Sequence, residues 1–425
     1  MNATLPDKLP VGELPPAHAK ERMPNPLRIL SLSCVYPNPR DKGLGLFVRA
    51  RLQRMAELAQ VKVIAPVAQF DYANSGKTRS NVPLERWDRE IEVVHPGWLY
   101  PPGGYALNAG LLYLRLLPLV RQIEKDFKFQ IIDSHFAFPD GIAACMLANR
   151  FGVPFTVTLR GNETMHAQYA LRRRLMGWSL RKASRVIVLS HKLEEFALSL
   201  GVDRQRIKVI PNGVDSQIFR PVDRAATREK YALAGAKMIL CAGTLIERKG
   251  HHRVVRAVAA LRKSGLDVRL LIAGGVGREG NYEDEIRKQI ADADLQTNAL
   301  LLGEVSPEEL ARLMSAADVF CLASSREGWP NVVHEAMACG TPVVATDVGA
   351  VCDLIPSTDY GFVVLQSDDE PLARALQLAL MKGWDRDRIA AWAHSRSWER
   401  VAADVLAEFQ DVAGCAATGE RRTTN

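Results

Sequence analysis

The chain has 425 residues, 47% of them hydrophobic and 24% charged, with a formal net charge of +7. That balance belongs to a soluble globular protein, and the length exceeds one ordinary core, so two domains are expected. No uninterrupted apolar run is long enough to span a bilayer, and seven scattered cysteines without a Cys-x-x-Cys exclude a disulfide framework or a zinc site and fit a reducing cytosol.

Met1 to Pro26 is rich in proline and mixed charge and lacks a charged-then-apolar signal pattern, which predicts a flexible extension. Strands then alternate with helical patterns. Arg28–Ser33 reads as a strand, Phe47–Ala59 as a helix and Val61–Ala65 as a strand. Leu107 to Val120 is broken by Arg115 and Pro118 and reads as an amphipathic helix. Short buried strands follow at Ile131–Ile132, Phe155–Leu159 and Val186–Leu189. The pattern pauses at Ile210-Pro-Asn-Gly-Val-Asp215, where Pro and Asn-Gly signal a turn and place the domain boundary. A second alternating series runs through Met238–Ala242, Val268–Ala273, Leu300–Leu302, Asp318–Ala323 and Pro342–Thr346. Two successive doubly wound halves predict a cleft between them.

Four groups of loops at strand ends could carry chemistry. Ser325-Arg-Glu-Gly-Trp-Pro-Asn-Val-Val-His-Glu335 follows a buried strand and opens a helix predicted from Asn331 to Cys339. It holds the carboxylates Glu327 and Glu335. Gly328 lets backbone approach a ligand, the helix start offers amide donors, and Glu335 suits paired hydroxyls such as those of a ribose. The plain alternative is a capped helix with two solvated acids. Gly243-Thr-Leu-Ile-Glu-Arg-Lys-Gly250 places Arg248 and Lys249 beside a helix start, which suits a diphosphate; a surface basic pair is the alternative. Gly275-Val-Gly-Arg-Glu-Gly280 matches the dinucleotide fingerprint in outline, with Glu304 after the next strand. However, Glu279, Glu283, Asp284 and Glu285 would repel a pyrophosphate there. Fourth come Tyr36–Gly45, His135–Gly141 and Arg160–Glu163, with His135 a base, a hydrogen-bond donor or a structural histidine. Arg49, Arg51 and Arg54, and Arg172–Arg174 with Arg181 and Lys182, form basic clusters that fit an anionic partner or a solvated face.

These residues together resemble a known family, the group 1 (family four) retaining glycosyltransferases of GT-B architecture. The most specific match is Glu327-Gly-Trp-Pro-Asn-Val-Val-His-Glu335 through Ala345, the family's Glu-x7-Glu motif. Pro211–Asp215, Ser134–Gly141 and Tyr36–Arg49 also fit. The resemblance implies two Rossmann-like α/β domains facing across a cleft. It divides the chain into an extension (1–26), an acceptor-side domain (27–212), a nucleotide-sugar domain (213–390), a crossover helix returning to the first domain (391–415) and a flexible tail (416–425).

It further implies a catalytic set of Glu327, His135 and Arg160. Donor contacts are implied at Thr244, Arg248, Lys249, Gly328, Trp329, Pro330, Asn331 and Glu335, with an acceptor-side loop at Gly43 and Gly45. Thr244 stands where the family often has Arg, Arg160 where many members have His, and Gly349–Asp353 in place of a Gly-Gly-x-x-Glu. The implied activity moves a sugar from a nucleotide diphosphate to a glycan, glycolipid or lipid-linked acceptor in surface polysaccharide assembly, with no cofactor and no metal. The implied enzyme is cytoplasmic; the basic stretch Leu171–Arg185 could lie on an anionic membrane, and nucleic acid is not an expected partner. A sugar-nucleotide epimerase or hydrolase, a non-catalytic nucleotide-sugar-binding subunit and a nicotinamide enzyme are the alternatives.

Overall fold

The computed structural model describes residues 26–69, 82–101, 106–233, 235–277, 280–366 and 369–418. The extension expected over 1–26 lies outside them except for its last residue. The β-branched runs of the sequence assemble into two large sheets. The order across the eight-stranded sheet is Ile207–Val209, Arg185–Val188, Phe155–Leu159, Ile131–His135, Arg28–Leu32, Gln60–Ile64, Ile91–Val94 and Glu85–Asp88. Only the last pair is antiparallel. The six-stranded sheet is parallel and runs Ala299–Gly303, Val268–Ala273, Lys237–Ala242, Val319–Leu322, Val343–Thr346 and Gly361–Val364.

Successive residues of each strand face opposite sides, and both sides are covered. Ile29, Ile131 and Ile187 pack under the helices Leu46–Ala56 and Trp398–Thr418. Their neighbours Leu30 and Ile132 face Leu112, Leu116 and Ile142. In the second sheet Ile239 and Cys241 meet Val254, Val258 and Leu376, whereas Met238 and Leu240 join the cluster of Met314, Val333 and Met337.

The final helix, Trp398–Thr418, lies on the first half. Val405 and Phe409 are fully buried there. Arg185 pairs with Glu408 at 2.6 Å and with Asp411, and Arg54 reaches Glu399 at 3.1 Å. The helix continues to Thr418, so the first residues of the expected tail at 416–425 are helical; 419–425 lie outside the described residues. The two chain crossings between the halves run side by side. Val214 N–H donates to Arg396 O at 3.1 Å and Trp398 N–H to Val214 O at 3.2 Å. A Cβ on Gly213 would lie 2.6 Å from Trp398 N, so the crossing requires glycine there.

Among the parallel strands of each sheet the order reverses once: between Arg28–Leu32 and Ile131–His135, and between Lys237–Ala242 and Val319–Leu322. The carboxyl ends of such neighbours diverge and leave a crevice, the usual ligand site of an open parallel sheet.

Candidate active site

The crevice of the second sheet is built by the loops after Ala242 and Leu322. They abut backbone to backbone. Gly250 has φ 70°, and a Cβ on it would lie 2.1 Å from Ala323 O. Ser325 N–H donates to Arg248 O at 2.8 Å. This packing brings two sites far apart in sequence into one. Lys249 Nζ donates to Glu327 Oε1 at 2.7 Å, and Ser324 Oγ donates to the same oxygen at 2.8 Å. Arg248 Nη1 lies 3.8 Å from Glu327 Oε2 and donates to Arg326 O at 2.9 Å. One carboxylate thus sits between two cations. Thr244 is exposed, and its carbonyl faces His251 Nε2 at 3.3 Å.

The helix Asn331–Ala338 begins beside Glu327, with Pro330 at the cap position rather than inside the first turn and no side chain capping it. Its first amides are therefore left for a ligand. Gly328 and Gly349 close the loop: Gly349 has φ 55°, a Cβ on it would lie 2.5 Å from Glu327 O, and Ala350 N–H donates to Gly328 O at 2.9 Å. Trp329, expected among the donor contacts, is 6% exposed and packs edge-on against His334 at 5.9 Å. It forms a wall of the loop, and its Nε1 has no hydrogen-bond partner among the described residues. Glu335 is partly buried with no cation paired to it among the described residues, and burial pushes its carboxyl up to about 7. A carboxylate in that setting gains from any hydroxyl donors a ligand brings.

The first half corrects several expectations. His135 has no exposed surface. Its Nδ1 accepts from Arg160 Nη2 at 2.8 Å and Nε at 3.2 Å, and Nε2 faces Asp133 Oδ2 at 3.3 Å. Nε2 also lies 3.3 Å from Arg51 Nη2; a proton on Nε2, directed to Asp133, is the tautomer that keeps both Arg160 bonds to Nδ1. Burial, with Arg51 and Arg160 nearby, outweighs Asp133 and pushes the imidazole down to about 3. It is a neutral, enclosed histidine, not a base open to substrate. Arg160 is 5% exposed, with its guanidinium turned to His135, to Asn212 Oδ1 at 2.9 Å and over the Phe47 ring at 5.0 Å. Glu163 Oε2 accepts the amides of Arg160 at 3.1 Å and Gly161 at 2.7 Å, which shapes the loop.

In the first basic cluster Arg51 is internal, while Arg49 and Arg54 are partly exposed and paired. Arg51 is 2% exposed and bonds Thr158 at 2.8 Å and Asp133 at 3.1 Å. Arg49 forks onto Asp88, and Arg54 bonds Glu57 at 2.8 Å. On the acceptor-side loop Gly45 turns the chain into the first helix, with φ 66° and a virtual Cβ 2.3 Å from Val35 O. Gly43 is exposed and donates its N–H to Asp41 Oδ1 at 3.1 Å.

The two halves touch at the site. A Cβ on Gly328 would lie 2.0 Å from Arg160 O. Asn212 Nδ2 donates to Asn331 Oδ1 at 3.0 Å, and Lys192 Nζ to Asp347 Oδ1 at 2.6 Å. The second glycine-rich loop is no dinucleotide cradle. Glu304 lies over Gly275, where a Cβ would fall 2.6 Å from its Cγ, and the next helix starts only at Glu283. Residues 278 and 279 of that loop lie outside the described residues. Sequence reasoning missed Ser324, whose only signal is its place at a strand end. Asn212 also escaped it, because its Pro-Asn-Gly setting reads simply as a turn.

Two facing Rossmann-like halves with this crevice define the GT-B class of fold. Residues 42–218 match the model of Glycosyltransferase Family 4, and residues 223–396 that of the group 1 glycosyl transferases. A D-inositol 3-phosphate glycosyltransferase of Pseudarthrobacter chlorophenolicus is 32% identical over 369 residues, 79% of this chain and 87% of that relative. A Bacillus subtilis protein provisionally named as a teichuronic acid biosynthesis glycosyltransferase is 25% identical over 90% of this chain and 93% of its own. Among solved structures, sucrose-phosphate synthase of Thermosynechococcus elongatus superposes with a TM-score of 0.73 at 22% identity, over 92% of this chain and all of that one. HepE of Anabaena in complex with UDP gives 0.70 at 19%, over 91% of this chain and 100% of its own. The chain belongs to the group 1, family four glycosyltransferases, enzymes that transfer a sugar from a nucleotide sugar.

Proposed function

We propose that this enzyme is a retaining, metal-independent hexosyltransferase whose acceptor is a glycan, glycolipid or lipid-linked sugar of cell-surface polysaccharide assembly. The observation that carries the reading is Glu327 held between Lys249 and Ser324 at the crevice of the second sheet. In this reading Lys249, with Arg248 behind it, meets the donor diphosphate, and Glu327 turns to the sugar. The amides from Gly328 to Asn331 hold phosphate and sugar oxygens, and Glu335 accepts from the ribose hydroxyls. The bond from the anomeric carbon to the diphosphate breaks, and the acceptor oxygen bonds the same face of that carbon. The acceptor proton leaves on a diphosphate oxygen. Fixed cations and helix amides stabilise the leaving charge without reorganising.

UDP heads the panel of donors to try, since the Anabaena neighbour is seen with UDP. Enzymes of polysaccharide assembly are suggested by the Bacillus subtilis relative. A membrane-facing role for the basic helix Ala170–Lys182 rests on Tyr169 and Leu171, exposed by 52% and 59% at its start, since Met176 and Leu180 are inside the core. No helix among the described residues is long and apolar enough to cross a membrane. Binding there would be peripheral, through a few apolar side chains and basic residues.

The test is product analysis. Incubation with nucleotide sugars and candidate acceptors should give a glycoside with the donor's anomeric configuration, equally in excess EDTA. An inverted product would overturn retention, and conversion of the nucleotide sugar without acceptor would favour the epimerase or hydrolase reading. Co-sedimentation with anionic vesicles at low salt tests the membrane; a protein left in the supernatant ends that part of the proposal.

A further inference from the structure

Asn212 joins the halves through its side chain. It is 3% exposed and sits in the first crossing between the two sheets. Its Oδ1 accepts from Arg160 Nη1 at 2.9 Å, and its Nδ2 donates to Asn331 Oδ1 at 3.0 Å. Amide orientation is often ambiguous, but here chemistry fixes it. A guanidinium can only donate, so Asn212 must turn its oxygen to Arg160 and its nitrogen to Asn331. Asn331 must then turn its own oxygen to Asn212, and its Nδ2 is left on the other side as a donor.

The row continues into the first half. Arg160 also donates to His135 Nδ1, and His135 directs Nε2–H to Asp133, which Arg51 and Thr156 hold in place. A directed row of hydrogen bonds therefore runs from the buried core of the first half to the first residue of the helix beside Glu327. Asn331 is only partly buried, unlike Asn212 and Arg160.

We infer that Arg160 and Asn212 are positioning residues that fix the amide of Asn331 with its N–H groups toward the donor diphosphate. This inference rests on the proposed donor site. Arg160 then acts on the donor at one remove, from inside the first half, and does not touch the sugar. The relay also ties donor binding to docking of the two halves, because it exists only while residues 160, 212 and 331 are together.

The experiment is a binding titration with UDP, GDP and ADP, taking forward whichever the wild type binds. Asn331→Ala and Asn212→Leu should each weaken that nucleoside diphosphate about tenfold, the scale of one hydrogen bond to a charged group. Asn212→Leu is nearly isosteric and adds no charge. The double variant should be no weaker than Asn331→Ala alone, because both changes remove one interaction. Arg160→Lys, which keeps a donor, should retain more affinity than Arg160→Met. Melting temperatures accompany each titration, so a folding defect is seen separately. Unchanged affinity in Asn331→Ala, or additive losses in the double variant, would overturn the relay. Absence of nucleoside-diphosphate binding by the wild type would instead overturn the donor site itself.

Discussion

Gly161 and Gly328 touch across the boundary between the halves: a Cβ on Gly161, which has φ 114°, would lie 2.6 Å from Gly328 Cα. Neither loop has room for a methyl group, because the opposing atoms are backbone. The Arg160–Glu163 loop and the Glu327 loop are thus in direct van der Waals contact. Gly328→Ala should prop the halves apart while leaving both cores intact. Turnover should fall by about a hundredfold, the scale of a misplacement near 1 Å, with little change in melting temperature. Steady-state kinetics beside a thermal melt checks this; normal turnover would show that the contact does not matter for catalysis.

The ion pair of Lys249 and Glu327 separates binding from chemistry. Lys249→Ala removes a cation facing the diphosphate and should weaken donor binding about tenfold to a hundredfold. Glu327→Ala leaves Lys249 and Arg248 without their carboxylate, so the donor should still bind while turnover falls at least about a hundredfold. Donor affinity and single-turnover rates, measured on both variants, distinguish the two roles. Equal effects on both quantities in both variants would contradict the assignment.

Glu335 predicts a pH dependence. Burial raises its carboxyl to about 7 in the folded state, above the ordinary glutamate value of about 4.3. Between those values the native state binds more protons than the unfolded one, so this group makes stability fall as pH rises, with no further change above the folded value. Glu335→Gln should remove that slope, and the difference between the two stability curves isolates it from other groups. Donor binding should run the other way, strengthening as pH rises toward neutrality, because ribose hydroxyls favour the carboxylate. Denaturation curves and donor titrations from about pH 4 to pH 8 check both signs.

Arg51 predicts a stability effect, not a binding one. Replacing it with Leu leaves Asp133 buried with an unpaired charge, a loss of about 3–5 kcal/mol. Urea denaturation of Arg51→Leu measures it. A variant that keeps its stability but fails to bind an anion would restore the ligand-binding reading of that cluster.

Much of this could be read from the chain. The strands Phe155–Leu159 and Val268–Ala273 fall where their β-branched runs end. The loops of Lys249 and Glu327 were each visible because a buried strand precedes them. Their meeting was not, since it depends on Lys237–Ala242 and Val319–Leu322 being neighbours in the sheet. Arg51 and Arg160 misled for one reason: a charged side chain reads as exposed unless its buried acceptors are known. Those acceptors, Asp133, Thr158, His135 and Asn212, lie on other elements. The Gly275 loop was set aside for its acidic residues, although its motif alone does not reveal that Glu304 covers it.

The most direct test of the donor site is a thermal-shift panel of nucleoside diphosphates and their sugars on the wild type and on Lys249→Ala. At least one nucleoside diphosphate should raise the melting temperature of the wild type, and the same compound should lose most of that shift in the variant. A panel with no response, or a shift that survives Lys249→Ala undiminished, would contradict the site.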